Sequence, residues 1–336
     1  MKVNIKQISD ATGFSAATIS NALTGHRAVS KEATEKILEV AKRLGYVAEK
    51  KIDKIKLVIC KKTGNVVADT PFFGELIEGM EKTGKEFGYD TLVSNINIAD
   101  TDEIEKLKRD TSTGLILLAT ELTEEDMKFF DDCEAPIVVI DSWYDNMKYD
   151  SVLISNTDSS CQAVGYLFDK GHKNIGYLKG KERITNFHYR EIGWIRAYMK
   201  KNIFPGEGFS VELGTTMETA KADMDAYLDE LEKEGKSLPV TAYFADNDII
   251  ALGAIRSLKD HGYKIPADVS VVGFDDMPFC EVSSPPLTTI RVFKQEMGIV
   301  AVKRLLEHLA DDKVINNKIQ VCTKFVERGS VSSLID

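Results

Sequence analysis

The sequence lacks any apolar run approaching the roughly 20 residues that a bilayer-spanning helix needs, so a helical membrane span is not expected and a membrane is not an expected partner. Its first residues, MKVNIKQISD, contain no apolar stretch of the kind a secretory signal carries, and the cytoplasm is the expected compartment. Cysteine is scarce: five residues (Cys60, Cys133, Cys161, Cys280, Cys322), an odd number with no CxxC pair, each in or beside an apolar segment. That pattern offers neither a disulfide framework nor a zinc ribbon and reads as reduced, buried thiols. The five histidines are dispersed, and no HExxH, phosphate-binding GxxxxGK[ST] loop or GxSxG elbow is present. No metal and no cofactor is therefore expected, and no enzyme chemistry gains positive support.

What is present is a folded, soluble composition, 43% apolar and 29% charged, on a chain of 336 residues, enough for two or three domains. The net charge of −10 conceals an asymmetry. Residues 1–62 carry 13 basic against 6 acidic side chains, and the remainder is strongly acidic. A basic head on an acidic body is the distribution expected of a head that meets a polyanion, although a lysine-rich linker contributes to the same signal.

Three short helices are predicted in residues 1–46. Asn4 caps the first, Gln7 can reach back to it, and Ile5, Ile8 and Ala11 form an inward stripe. Gly13 turns the chain, Ser15 caps a second helix with Ala16, Ile19, Ala22 and Leu23 facing inward, and Gly25 ends it. Ser30 caps a third, with Ala33, Ile37, Val40, Ala41 and Leu44 at helical spacing before Gly45. The first two helices make a helix-turn-helix. The second is small on one side and hydroxyl-rich on the other, which lets backbone and helix N-terminus approach a phosphate strand. Ser15, Thr18 and Ser20 can bond phosphate oxygens, Asn21 can pair with an adenine edge, and the methyl of Ala16 or Ala17 can touch a thymine methyl. A plain three-helix bundle is the alternative reading of the same spacing.

The string IKQISDATGFSAATISNALTGHRAVSKEATEKILEVAKRLGY resembles the head of the LacI/GalR family of bacterial transcription regulators, through GxSxxT[IV]S, the short TG ending, VS and a third helix finishing in LGY. The resemblance implies that Asn4, Ser15, Thr18, Ser20 and Ser30 position the head on phosphates, and that Ala16, Ala17 and Asn21 stand where the family reads bases. Asn21 departs from the Arg often found there, so adenine is favoured over guanine. The following connection, residues 47–54, is shorter than the family's and lacks NxxARxL. It reads as a basic tether through Lys50, Lys51 and Lys54, with Ile52 the one candidate minor-groove wedge, and weaker central kinking of DNA is expected.

From about residue 55 apolar runs alternate with helical patterns. Strands are predicted at Ile55–Cys60, Thr91–Ile96, Gly114–Ala119, Ile137–Ile140, Ile175–Leu178, Val240–Ala245 and Val269–Phe274, and helices at 73–87 and 248–261. This is an α/β pattern of parallel sheets with crossover helices. Late strands at 287–292 and 318–326 imply that the chain crosses back between two lobes. Open sheets of this type bind ligands beyond the carboxyl ends of their strands, where Phe72, Phe73, Asp141, Asn247 and Asp275 fall and where Arg190 opens a helix.

The body also resembles the LacI/GalR core, through PFFGELIEGMEKTGKEFGYDTLV, GHKNIGYLKG, YREIGWIRAY, AYFADNDIIALGAIRSLKDHGYKIPADVSVVGFDD and PPLTTIRV. The resemblance covers nearly the whole chain. It implies a two-lobed, periplasmic-binding-protein-like core, with lobe 1 at about 55–154 and 287–318 and lobe 2 at about 155–286 and 319–336. By it Arg190, Asn247 and Asp275 contact a small-molecule effector, and Asp141 and Phe73 are weaker matches. A carbohydrate suits this set: vicinal hydroxyls fit Arg and carboxylates, and aromatic faces cover a pyranose ring. Trp143 and Tyr144 are candidates for such a face. Asp268 and Asp276 read as turn-capping residues, and Asp246 is unusual for the family at its position. The expected partners are thus a pseudo-palindromic duplex operator, a carbohydrate-like effector and a second copy of the chain. With no heptad tail after the last strand, a dimer is expected. The alternative function is a sugar-binding receptor without a transcriptional role.

Overall fold

The computed structural model describes residues 4–24, 29–44, 52–64, 66, 72–145, 148–311 and 313–335, with the backbone alone for Thr24 and Phe72. It divides into two compact units, Met1–Ile52 and Asp53–Asp336.

The first unit is all-α, with α1 (Ile5–Thr12), α2 (Ala16–Thr24) and α3 (Lys31–Leu44). Asn4 and Gln7 form the reciprocal cap: the Gln7 N–H donates to Asn4 Oδ1 at 3.1 Å, and the Asn4 N–H donates to Gln7 Oε1 at 2.9 Å. Gly13 closes α1 at φ 77°, a left-handed conformation that a Cβ disfavours. Ile8, Ile19 and Ile37, one from each helix, are fully buried and meet with Val40 and Ala41. Ala11 is exposed, contrary to the expected stripe. Thr12, one turn beyond Ile8 and partly exposed, donates its hydroxyl to the Ile8 carbonyl at 2.7 Å, and Phe14 packs in from the turn. The expected stops at Gly25 and Gly45, and the tether at 47–51, lie outside the described residues.

The second unit contains, in chain order, β1 (Lys54–Lys61), α4 (Phe72–Glu86), β2 (Asp90–Asn97), α5 (Thr101–Arg109), β3 (Thr113–Leu118), α6 (Glu124–Met127), β4 (Ile137–Ile140), β5 (Asp150–Ile154), α7 (Asn156–Asp169), β6 (Ile175–Gly180), α8 (Thr185–Lys200), β7 (Ser210–Leu213), α9 (Met217–Lys233), β8 (Ala242–Ala245), α10 (Asp248–Asp260), β9 (Ser270–Val272), α11 (Phe279–Val282), β10 (Thr289–Arg291), α12 (Lys294–Ala310), β11 (Lys318–Val321) and β12 (Lys324–Val326). A six-stranded sheet runs β11-β5-β4-β3-β1-β2 and a four-stranded sheet β7-β6-β8-β9, with every pairing parallel. Central strands β3 and β4 are buried along their whole length, as parallel strands covered by helices on both faces must be. On one face α4 and α12 pack closely enough that a Cβ on Gly79 would lie 2.2 Å from the Gln295 carbonyl oxygen, and one on Gly298 would lie 2.4 Å from that of Leu76.

Two expected lobe boundaries need correction. Lys318–Val321 pairs with Ser151–Ile154, which places residues 319–321 in the first sheet rather than the second lobe. Residues 288–291 do not belong to the first lobe: Thr288 bridges Val272 of the second sheet, and β10 pairs antiparallel with β12. The parallel register of β11 on β5 fixes the first point, because its ladder satisfies the outer edge of β5. Strands β5 and β7 were not anticipated. β5 opens on Asp150, a buried carboxylate paired with Arg304 at 3.0 Å and with His308, so its polar start conceals a strand. β7 is a short edge whose residues alternate exposed and buried.

Candidate functional site

In the head, Ser15, Ala16 and Ala17 lie exposed at the start of α2, with Thr18, Ser20 and Asn21 partly exposed beside them. Ser15 caps the helix: its Oγ accepts the Thr18 N–H at 3.1 Å and lies 2.9 Å from Thr18 Oγ1. Ser30 likewise accepts the Ala33 N–H at 3.3 Å at the head of α3. Asn4, Ser15 and Ser30 therefore have structural duties as caps, each accepting through its oxygen. The exposed α2 start presents no side chain bulkier than serine, so backbone and helix N-terminus are the closest groups to any docked surface.

In the second unit, chain segments far apart in sequence meet beyond the carboxyl ends of the strands. Asp141 follows β4, Thr120 follows β3, Asn247 follows β8 and Asp275 follows β9, while Asn186, Phe187 and Arg190 come from the first two turns of α8 and Phe73 from the start of α4. With Val66, Ile184, Ile249 and Met277 they line one cavity of about 60 Å³. Ligand pockets for small molecules run to roughly 300–1,000 Å³, so a ring-sized ligand requires the walls to part. Phe73, Asp141, Arg190, Asn247 and Asp275 of the predicted set all face this cavity. The Phe72 side chain lies outside the described residues. Trp143 is a correction: it does not line the cavity but stacks on Tyr189, centroids 5.0 Å apart, with Lys318 above its ring. Tyr144 is buried and donates its hydroxyl to the Leu122 carbonyl at 3.0 Å. The chain turns sharply after Asp141 (φ 63°), which aims the next side chains away from the cavity. A larger, open groove of about 550 Å³ lies between Glu75, Arg291 and Glu296; it takes in Asp276, which Arg291 and Arg328 hold, but none of Thr120, Asp141, Asn247 or Asp275.

Arg190 is 3% exposed, lines the cavity, and spends three of its five N–H donors on the protein. Its Nε donates to Asn156 Oδ1 at 2.9 Å, Nη1 to the Asp246 carbonyl and Nη2 to Asp275 Oδ1 at 3.2 Å, and its guanidinium lies 3.7 Å from the Phe274 ring centroid. Asn156 passes the polarity on. Its Nδ2 donates to Asn186 Oδ1 at 2.8 Å, and Asn186 Nδ2 donates to Asp141 Oδ1 at 2.8 Å. A directed chain of two buried amides thus links the cation of α8 to the carboxylate after β4, and the charged ends fix which way each amide points. The Asn186–Asp141 bonds cross from the second sheet's lobe to the first, so they must yield when the cavity opens. Nothing in the sequence singles out Asn156, Asn186 or Thr120, and Asp246 stands out there only as unusual at its position. Asn156 and Asn186 sit in the first turns of helices, where asparagine is ordinary, and nothing local distinguishes them.

Asp141 and Asp275 both adopt positive φ (63° and 112°), strained for a non-glycine residue and a recurrent mark of functional positions. Burial raises the Asp141 carboxyl to about 6, against hydrogen bonds from Thr120 and the charge of Arg190. Asp246, fully buried, is likewise raised to about 6 by burial despite Arg183. Burial and the neighbouring Asp275 raise Asp248 to about 7, and burial raises Asp275 too. A carboxylate raised in the folded state binds its proton more tightly there than in the unfolded chain, so it adds stability as pH falls from its folded value towards about 4. His172, lowered by burial, opposes this below about 6.5, but it is one group against four. Carboxylates lowered by ion pairs or hydrogen bonds, such as Asp126 and Asp225, lose their contribution only below about 4. The core should therefore melt at least about 4 °C higher at pH 5 than at pH 8, which corresponds to about 2 kcal/mol, and then lose stability below pH 4. Calorimetric scans at pH 8, 6.5, 5 and 3.5 measure this. Asp248→Asn, which mimics the protonated acid, should flatten the rise, and a melting temperature that declines steadily from pH 8 would contradict the assignment.

A model of the periplasmic binding protein-like domain matches residues 164–331, half of the chain. Over about its full length the chain is similar to three named regulators. It is 28% identical to the HTH-type transcriptional repressor PurR of Histophilus somni, covering 98% of this chain and 99% of that protein. It is 28% identical to the HTH-type transcriptional repressor CytR of Escherichia coli, covering 98% and 96%. It is 29% identical to the HTH-type transcriptional regulator GalS of Salmonella typhimurium, covering 98% and 97%. Among solved structures, the transcriptional regulator CelR in complex with cellobiose superposes with a TM-score of 0.73 at 23% identity, over 98% of this chain and 100% of that one. The lac repressor dimer bound to operator and the anti-inducer ONPF gives 0.71 at 22% identity, over 99% and 100%. These two show the shared fold. Among the described residues no helix is long and apolar enough to cross a membrane.

Proposed function

This chain belongs to the periplasmic binding protein-like family, on the LacI/GalR branch that joins such a core to a helix-turn-helix head, and from that premise we propose that it is a sequence-specific DNA-binding transcription repressor controlled by a small molecule. Two copies of the head engage a pseudo-palindromic operator whose half-sites lie about one helical turn apart. The effector, a carbohydrate or related metabolite, binds among Phe73, Asp141, Arg190, Asn247 and Asp275. Its preference for one arrangement of the two lobes changes operator affinity. Moving such an equilibrium from mostly bound to mostly free takes about 5.5 kcal/mol of differential affinity, so tight binding without preference would regulate nothing. The protein acts in the cytoplasm, where its DNA is, and turns over no substrate.

The observation that carries the reading is the convergence of five side chains, far apart in sequence, on one strand-end cavity with a buried arginine at its back. The base-reading surface is thin. Ala16, Ala17 and Asn21 supply at most one bidentate contact, worth about 1–3 kcal/mol. Asn21→Ala should weaken operator binding by that amount and relax preference for adenine at one position per half-site, leaving the salt slope unchanged. Fluorescence anisotropy at two salt concentrations tests this, because each phosphate contact contributes a slope of about −0.9. A transport receptor or an enzyme of the same fold would show no salt-dependent preference for operator over random duplex.

A further inference from the structure

The cations around the cleft are matched by the protein's own groups. Arg190 holds Asn156, the Asp246 carbonyl and Asp275. Arg183, on the loop between β6 and α8, donates to Asp246 Oδ2 at 2.6 Å and to Glu191 Oε2 at 3.0 Å. Lys294 donates to the Asp275 carbonyl at 3.0 Å, and Lys62 and Lys181 pair with Asp126 and Asp223. Residues 65–71, NVVADTP, bring no lysine or arginine in sequence. The acids are in excess: Asp141 and Asp275 line the cavity, and Asp246 and Asp248 are fully buried behind it.

Helix N-termini would ordinarily favour an anion, through a partial charge of about +0.5. Here the three helices that open on the cavity each have an acid of the chain close by; for α4 it is Glu75, in its first turn. Asp141 bonds Asn186 in the first turn of α8, and Asp248 is the first residue of α10, whose N-cap is Asn247. Asp246 completes the arrangement. It accepts from the Tyr177 hydroxyl, from the Gly180 N–H at 2.7 Å and from Arg183, and so fixes Arg183 on the sheet end rather than over the cavity.

The geometry points to a cleft that takes an uncharged polyhydroxylated ring and rejects the phosphorylated or carboxylated form of that ring, with Asp246 as the residue that sets the choice. The inference rests on reading the cavity as the effector site. A phosphate held about 5 Å from two carboxylates at an effective dielectric near 20 loses more than a hundredfold in affinity, unless a free cation answers it, and Asp246 and Glu191 leave Arg183 none to offer.

The test is calorimetric titration of the full-length protein with ribose, glucose, ribose 5-phosphate, glucose 6-phosphate and inorganic phosphate. It is run on wild type, Asp246→Asn combined with Glu191→Gln, and Arg190→Ala, with melting curves in plain buffer to establish folding. The expected result is that no phosphate-bearing probe binds wild type, and that Asp246→Asn combined with Glu191→Gln releases Arg183 from both of its carboxylates and gains at least about tenfold in affinity for inorganic phosphate, a gain lost again on adding Arg183→Ala. If Asp246→Asn does not fold, Asp246→Ser is the second variant. A sugar phosphate that binds wild type but not Arg190→Ala overturns the proposed class while leaving the cavity as the effector site. A folded double variant as indifferent to phosphate as wild type removes Asp246 from the role. The reading of the cavity itself fails on a different outcome, a neutral ligand whose binding survives Arg190→Ala.

Discussion

Arg190→Ala will abolish the response to effector and lower the stability of the core by about 3–5 kcal/mol, the usual cost of stripping one partner from a buried ion pair. The side chain it removes does more than touch a ligand. Asn156 Oδ1, the Asp246 carbonyl and Asp275 Oδ1 all lose a donor, and the Phe274 face loses its cation. With Asn156 released, the amide chain to Asp141 loses the charge that oriented it, so the far wall of the cavity loosens too. The core should melt roughly 10 °C lower, while the head, a separate compact unit, should still bind operator. Lysine will not rescue the site, because a single ammonium cannot reproduce three donors in a planar fork. Two results discriminate this account from simple loss of packing. Adding Asp275→Asn to Arg190→Ala should restore part of the stability, because the double variant no longer buries an unmatched carboxylate. The penalty should also shrink towards pH 5, where Asp275, already raised by burial, takes up a proton instead. An Arg190→Ala protein that still answers its effector would dissociate the cavity from regulation.

The legible part of this structure was whatever local chemistry dictates. The Asn4–Gln7 cap and the turn at Gly13 stand where short-range rules put them. So do the apolar strands of the core, because a parallel strand buried on both faces reads as an unbroken apolar run. The illegible part depends on partners remote in sequence. Asp150 could not announce β5, since its neutralising partner Arg304 is 154 positions away. Trp143 looked like a ring face after a strand, yet the turn at Asp141 sends it to Tyr189. Asn186 and Asn156 acquire meaning only as successive links between Arg190 and Asp141. Asp246 stood out in sequence as unusual, but only the fold shows that it holds Arg183.

Ile37→Ala should unfold the head and eliminate specific DNA binding while the core keeps its ligand affinity. Among the described residues of the three-helix unit five apolar side chains are buried, Ile8, Ile19, Ile37, Val40 and Ala41, and Ile37 belongs to the one cluster in which all three helices take part. Domains of this size bury a small share of their surface and sit close to the limit of independent stability. Truncating a fully buried isoleucine costs about 2–5 kcal/mol, which is comparable to the whole of the roughly 3–5 kcal/mol that a core this small supplies. Surface substitutions on α2 act differently. Ser15→Ala weakens a cap by about 1 kcal/mol and leaves a folded head. The measurement is therefore a pair of melting transitions followed separately, by helical signal for the head and by the indole of buried Trp194 for the core, alongside operator titrations. Because the core retains Arg190 and its partners, a ligand should still raise the core transition by the same amount in Ile37→Ala as in wild type. Loss of DNA binding with a head that still melts cooperatively would mean that Ile37 acts at the interface with DNA rather than from inside, against its complete burial between the helices.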